Sequence, residues 1–313
     1  SNDIKDEIKI SLSKNKNKNY FINGFFKSSE ASFNIANILK QFEIKNDFLN
    51  KKEIIISTDN LFSFQLDKKN KIQNLNIKSK VNFQNLSFKY NFDKLKKYFK
   101  EYQNVVFFKE GDLRIEYENN ELSINGNSKY SLDKKFDNFL FSVFKKNHEY
   151  KFNADLEIES SPFYIKEIEY EKSKNKFSLA SIKGTYGKEK ILSLDNILFK
   201  ENNNFFEIKK IQLNKKLKIL NIKELKFNYL NKNNLKNNIK LSKINDNYQI
   251  TGNLLDFSKF LNDILKNDSD ESLLNNFKDL DSVINIKIDK VYLDNKNSLI
   301  DFKGMIHIKK NKI

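Results

Sequence analysis

The chain has 313 residues, 39% hydrophobic and 13% aromatic, with 29 Phe, 13 Tyr and a formal net charge of +16. Its aromatic content excludes a disordered polar chain, and its hydrophobic share, below the usual, does not suit a deep globular core. The absence of Cys excludes disulfides, thiol chemistry and Cys-ligated metals, and no apolar run reaches the roughly 18 residues of a membrane-spanning helix.

The skew towards Lys, Asn, Ile and Phe is that of AT-rich codons. The first residue is Ser1 rather than Met. A fragment or processed chain is therefore expected, with any membrane anchor or export signal outside it.

Along the chain the dominant signal is period two. Leu113, Ile115 and Tyr117 alternate with polar or charged residues. So do Tyr150, Phe152, Ala154, Leu156 and Ile158, then Leu225, Phe227 and Tyr229, then Ile284, Ile286 and Ile288. Such alternation puts one face of a sheet against something apolar and the other in water. Roughly 20 runs of this kind are separated by Asn-rich turns such as Glu118-Asn119-Asn120 and Asn202-Asn203-Asn204. No long helical crossover is visible, so an antiparallel meander is expected.

Two or three short amphipathic helices interrupt it. Ile35 to Phe42 is a weak example, and Leu273 to Phe277 adds at most a turn. Phe92, Leu95, Phe99 and Tyr102 share a face, with Asp93 near the start. Phe257, Phe260, Leu261, Ile264 and Leu265 share another, with Asp256 as its N-cap. Five glycines repeat one local pattern of apolar residue, polar residue, Gly: Gly24, Gly126, Gly184, Gly252 and Gly304. Glycine there marks a bulge, a kink or a close backbone approach. Gly252 is expected to turn its strand out of the ladder. No linker divides the chain, so residues 1–313 are read as one continuous section of a longer protein.

The charge does not point to a nucleic-acid reader. Arg114 is the only Arg, whereas base readout and phosphate clamps favour the planar guanidinium fork. The lysines alternate with apolar residues, as on the wet side of strands, and no nucleic-acid partner is expected. The catalytic inventory is also poor. His148 reads as a solvated turn residue and His307 as part of a strand face. No phosphate loop, paired-His metal motif or nucleophile elbow is present. Residues 267–271, acidic enough to suggest calcium, lack the glycine and the spaced terminal Glu of an EF-hand loop. The chain is therefore read as no enzyme, with no cofactor and no metal.

What remains is surface. A sandwich, a barrel or a rolled sheet with a long apolar groove would each deal with a continuous apolar face. The residues alone leave sandwich and groove open.

YQITGNLLDFSKFLNDIL, followed by a polar loop and then SVINIKIDKVYLDNKNSLIDFKGMIHIKKNKI, resembles the AsmA-like envelope protein family. The likeness is to its YhdP-type branch, whose relatives include TamB. Gly252, Leu255, Asp256, Phe260 and Leu261 carry the first part of the likeness. Ile286, Ile288, Val291, Leu293, Leu299, Phe302 and Gly304 carry the second. Residues 250–313 are the most family-like segment.

The resemblance implies an extended antiparallel meander rolled into an elongated open groove. It also implies a periplasmic location, with the inner-membrane anchor outside this chain. The partners would be phospholipid or another acyl-chain lipid, and the inner and outer membranes through parts outside this chain. Phe139, Phe141, Val143, Tyr150, Phe152, Leu156, Ile158, Leu225, Phe227, Tyr229, Ile286 and Ile288 would then solvate acyl chains. Gly252, Leu255, Asp256, Phe257, Phe260, Leu261 and Ile264 would form a helical plug on the apolar face. The alternatives are a structural or adhesive β-scaffold with a closed core, and a basic module that binds anionic surfaces or nucleic acid.

Overall fold

A computed structural model of the chain describes residues 6–14, 19–34, 53–89, 93–102, 104–132, 135–187, 189, 191–215, 217–259, 261, 282–294 and 296–308. The period-two runs become strands. The first eight are β1 (Glu7–Lys14), β2 (Tyr20–Asn34), β3 (Glu53–Leu66), β4 (Ile72–Lys89), β5 (Val105–Glu118), β6 (Glu121–Ser131), β7 (Asp137–Lys146) and β8 (Glu149–Glu157). A short hairpin follows, β9 (Phe163–Ile165) and β10 (Tyr170–Lys172). The rest are β11 (Leu179–Tyr186), β12 (Leu192–Glu201), β13 (Asn204–Leu213), β14 (Ile219–Leu230), β15 (Lys236–Ile244), β16 (Asn247–Asp256), β17 (Ser282–Tyr292) and β18 (Ser298–Ile308).

All but β9 and β10 join one open 16-stranded sheet in chain order. Asn makes this order possible at two-residue hairpins. Asn119, Asn147, Asn202 and Asn245 each sit at φ between 49° and 54°, a left-handed conformation that Asn tolerates and that matches the twist of paired strands. His148 lies in one of these turns and is exposed.

The sheet is mixed, which corrects the expectation of a purely antiparallel meander. β16 and β17 run parallel, with Ile250 opposite Ile286 and Gly252 opposite Ile288. A parallel neighbour requires the chain to return to its starting end. The connection between β16 and β17 is therefore a crossover. The strand does not leave the ladder at Gly252 as expected, since β16 continues to Asp256.

Helix content is also lower than expected. Among the described residues one short α-helix stands, α1 (Asp93–Tyr98), together with a 3₁₀ turn at Lys166–Ile168. At the crossover a helical turn opens, with Leu261 N–H donating to Phe257 O and Asp256 Oδ1 accepting from Ser258 N–H. Ile35 to Phe42, Phe260, Ile264 and Leu273 to Phe277 lie outside the described residues.

Several glycines mark close approaches between strands. A methyl group on Gly24 would lie 2.0 Å from Phe62 Cζ, and one on Gly126 2.6 Å from Phe141 Cε1. These glycines give room to a ring on the neighbouring strand. Gly252 instead faces backbone at the bulge between Asn238 and Ile239.

The chain divides into two compact units, residues 1–93 with 101–154, and residues 94–100 with 155–313.

Candidate functional site

Strand pairing aligns the apolar alternation into rows. In the first unit, Gly24, Phe62, Ile77, Tyr117 and Leu122 are successive cross-strand partners. Val81, Leu113, Gly126 and Phe141 form another row, and Ile115, Ile124 and Val143 a third. Among the described residues, every strand or helix lying wholly within this unit is a strand of the single sheet. Its apolar face accordingly stays half-buried at Phe62, Ile77, Leu113, Ile124, Phe139, Phe141 and Val143. The rings pack sideways along the face. Phe139 stacks on Phe141 at 5.2 Å and leans on Phe108 at 5.8 Å. Phe152 is half-buried, and Tyr150 is exposed with Lys145 Nζ 5.7 Å from its ring. Ile8, Ile10 and Leu12 on the edge strand β1 are 65% exposed.

The second unit carries the same rows. Ala180, Phe199, Phe206, Phe227, Ile239, Gly252, Ile288 and Phe302 pair in succession across β11 to β18. Leu225, Leu241, Ile250 and Ile286 lie one row on. The register thus places Leu225 with Ile286 and Phe227 with Ile288, as members of one face.

Here, however, the face is covered. Of the twenty buried apolar residues among those described, fifteen lie in the second unit. The hairpin β9–β10 and Phe99, just beyond α1, press onto β12 to β14. Tyr170, fully buried, meets the rings of Phe206 at 4.8 Å, Phe199 at 5.8 Å and Tyr229 at 5.9 Å. Phe163 bridges Phe99 at 5.1 Å and Phe199 at 5.6 Å. Leu156, Ile158, Phe227 and Tyr229 all belong to this cluster. Burial pushes the Tyr170 hydroxyl well above the usual range, helped by the Glu201 carboxylate that accepts its hydrogen bond. Tyr229 is raised by burial first and by the charges of Asp256 and Glu169 second.

A second cluster gathers Ile239, Ile288 and Val291 with Leu255, Phe257, Leu293 and Phe302 around them. Phe257 thus packs against this cluster. Asp256, besides capping the turn, accepts from Asn231 Nδ2 at 2.6 Å. Its own N–H donates to Asn237 Oδ1 at 2.7 Å.

The opposite face carries a ladder of Lys–Glu pairs on β13 to β15. Lys226 Nζ lies 3.0 Å from Glu224, Lys240 Nζ 3.0 Å from Glu224, and Lys209 Nζ 3.2 Å from Glu207. Hydrogen bonds from Lys226 and Lys240 pull the Glu224 carboxyl down to about 2. Sequence reading missed this ladder, although the alternation of Glu207, Lys209, Glu224 and Lys226 with apolar residues could have signalled it. It also missed the cap, whose strands are three residues long.

Among the described residues no helix is long and apolar enough to cross a membrane, and no three His, Asp or Glu side chains gather as metal ligands. His307 is exposed on β18, its Nε2 3.0 Å from Met305 Sδ. Comparison with protein-family models, curated proteins and solved structures finds no match for this chain. The fold itself defines a class, a mostly β protein built on one long, open, mostly antiparallel sheet.

Proposed function

We propose that the chain is a non-enzymatic lipid-carrying section, holding phospholipid acyl chains against the apolar face of its sheet. The observation that carries this reading is the first unit's face. Its aromatic and aliphatic rows run from strand to strand, stay half-buried and have no second sheet over them among the described residues. Apolar area on that scale calls for an apolar partner. An acyl chain gains about 0.8 kcal/mol per buried CH₂ wherever it lies along such a row. A uniform row offers no deep trap, so a lipid can slide. Headgroups would remain in water, near lysines such as Lys145.

The resemblance in residues 250–313 supports placing such a section in the periplasm, as part of a rolled, elongated groove between inner and outer membranes. The Lys–Glu ladder on the opposite face favours a solvated surface over a nucleic-acid footprint.

The test is to purify the chain and identify co-purified lipid by mass spectrometry, with a photo-reactive phenylalanine analogue at Phe141 or at Ser142 on the opposite face. Lipid adducts at Phe141 and not at Ser142 are expected. Equal labelling at both would defeat the assignment.

A second reading, a structural or adhesive scaffold, is favoured by the closed aromatic cluster under β9–β10. Purified protein free of lipid, with no adduct at Phe141, would support it.

A further inference from the structure

We infer that residues 159–178 are the second unit's own occupant of its apolar face, taking the place of an acyl chain over β12 to β14. Lipid therefore binds the first unit's face and is excluded from Phe227 and its neighbours. This inference rests on the lipid-carrying reading.

The two sheet faces are alike in sequence pattern and unlike in burial. Both present rows of Phe, Ile and Leu, but the second unit's rows are closed where the cap lies. The cap has two strands of three residues each, too short to hold together alone. It is fixed instead at its neck, its tip and its underside.

At the neck, Ile158 N–H donates to Ser178 O at 2.8 Å, and Ser178 Oγ donates back to Ile158 O at 2.8 Å. At the tip, Lys232 N–H donates to Glu169 O at 2.9 Å, and Lys232 Nζ lies 2.6 Å from the Glu169 carboxylate. Underneath, the Tyr170 ring enters the aromatic cluster. Lys172, fully buried, donates from Nζ to the carbonyls of Glu159 and Ser161 at 3.0 Å and of Ser173 at 3.2 Å. An irregular loop has carbonyls that no ladder satisfies. A buried ammonium has donors that must be satisfied. Each answers the other, so the cap closes on itself and shows the sheet an apolar underside. Being part of the chain, it competes with free lipid at high effective concentration.

The experiment places the photo-reactive analogue at Phe141 or at Phe227 and illuminates the protein with vesicles of phosphatidylethanolamine and phosphatidylglycerol. Phe141 is expected to capture lipid, and Phe227 to capture only peptide from residues 159–178. Replacing residues 160–177 with a Gly-Ser linker, which leaves Ile158 and Ser178 to pair, is expected to bring lipid adducts to Phe227. Lipid captured at Phe227 in the unaltered protein overturns the inference, and this arm needs no altered fold. A capless protein that folds by circular dichroism and still gains no lipid at Phe227, while Phe141 does, also overturns it. Failure of Phe141 to capture lipid instead defeats the lipid-carrying reading itself.

Discussion

The Tyr170 hydroxyl donates to Glu201 Oε2 at 2.5 Å while its ring stands edge-on to Phe206 at 4.8 Å. One side chain thus ties the cap to the sheet by a hydrogen bond to a carboxylate and by ring packing, and the two contributions separate by mutation. Tyr170→Phe keeps the ring and removes the bond, for an expected loss of about 1.5–3 kcal/mol, the range for a hydrogen bond to a charged group. Tyr170→Ala removes both and leaves a cavity, for about 3–5 kcal/mol. Urea unfolding followed by circular dichroism checks both. Equal losses for the two variants would mean that the ring contributes nothing.

Burial of phenols sets the alkaline limit. Tyr170 and Tyr229 are raised above the ordinary value of 10.0, chiefly by desolvation, and Tyr102 and Tyr248 shift the same way. Below pH 10 folded and unfolded chains are both neutral at these groups, so their stabilisation is complete. Above it the unfolded chain loses protons that the folded chain retains, and stability falls by about 1.4 kcal/mol per pH unit for each group that stays neutral. Ultraviolet titration is expected to show fewer than the 13 tyrosines ionising near pH 10, with the remainder appearing at alkaline unfolding. Ionisation of all of them before unfolding would contradict the buried cluster.

On the wet face the sign reverses. Glu224 is lowered to about 2 by Lys226 and Lys240, so its contribution is present above its unfolded value of 4.5 and is lost as pH falls from there towards 2. The pairs remain partly open to solvent, with Glu224 half-buried and Lys240 exposed, so Glu224→Gln is expected to cost about 1 kcal/mol or less at neutral pH. That cost should shrink with added salt and vanish near pH 2. Urea midpoints of variant and parent at both pH values measure this. A difference that persists at pH 2 would assign the effect to packing.

Much of the sheet was legible because alternation is a local signal. Leu113 to Tyr117, Leu225 to Tyr229 and Ile284 to Ile288 all fall on strands, and the Asn turns sit where the sequence puts them. Strand direction was not legible. Nothing local distinguishes Ile284 to Ile288 as a parallel neighbour of β16 from an antiparallel one, because alternation is the same in either direction. The cap was hidden for another reason. Lys166, Glu167, Glu169, Glu171 and Lys172 put charge through the segment, and the burial of Lys172 comes from carbonyls of Glu159, Ser161 and Ser173 around it, not from its own neighbours in a pattern. Of the apolar side chains proposed to meet lipid, Phe139, Phe141 and Val143 stay half-open, whereas Ile158 and Tyr229 are buried. Alternation identifies a face but not what covers it.

Gly252 offers the sharpest local test of the register. A methyl group there would stand 2.2 Å from the carbonyl oxygen of Asn238 and 2.8 Å from Ile239 Cδ1. The isoleucine tip can swing away, but the carbonyl belongs to the neighbouring strand and cannot move without separating β15 from β16. Gly252→Ala is therefore expected to destabilise by about 1–3 kcal/mol, the cost of overpacking. Gly187 meets nothing within 4 Å of the same added atom, and Gly187→Ala is expected to be neutral or to gain about 0.4–1 kcal/mol by restricting the unfolded chain. Hydrogen exchange locates the effect. Protection should fall at the Ile239, Leu241 and Ile250 amides in Gly252→Ala and stay unchanged in Gly187→Ala. Unchanged protection in both would mean that β15 and β16 do not approach as closely as the bulge at Asn238 requires.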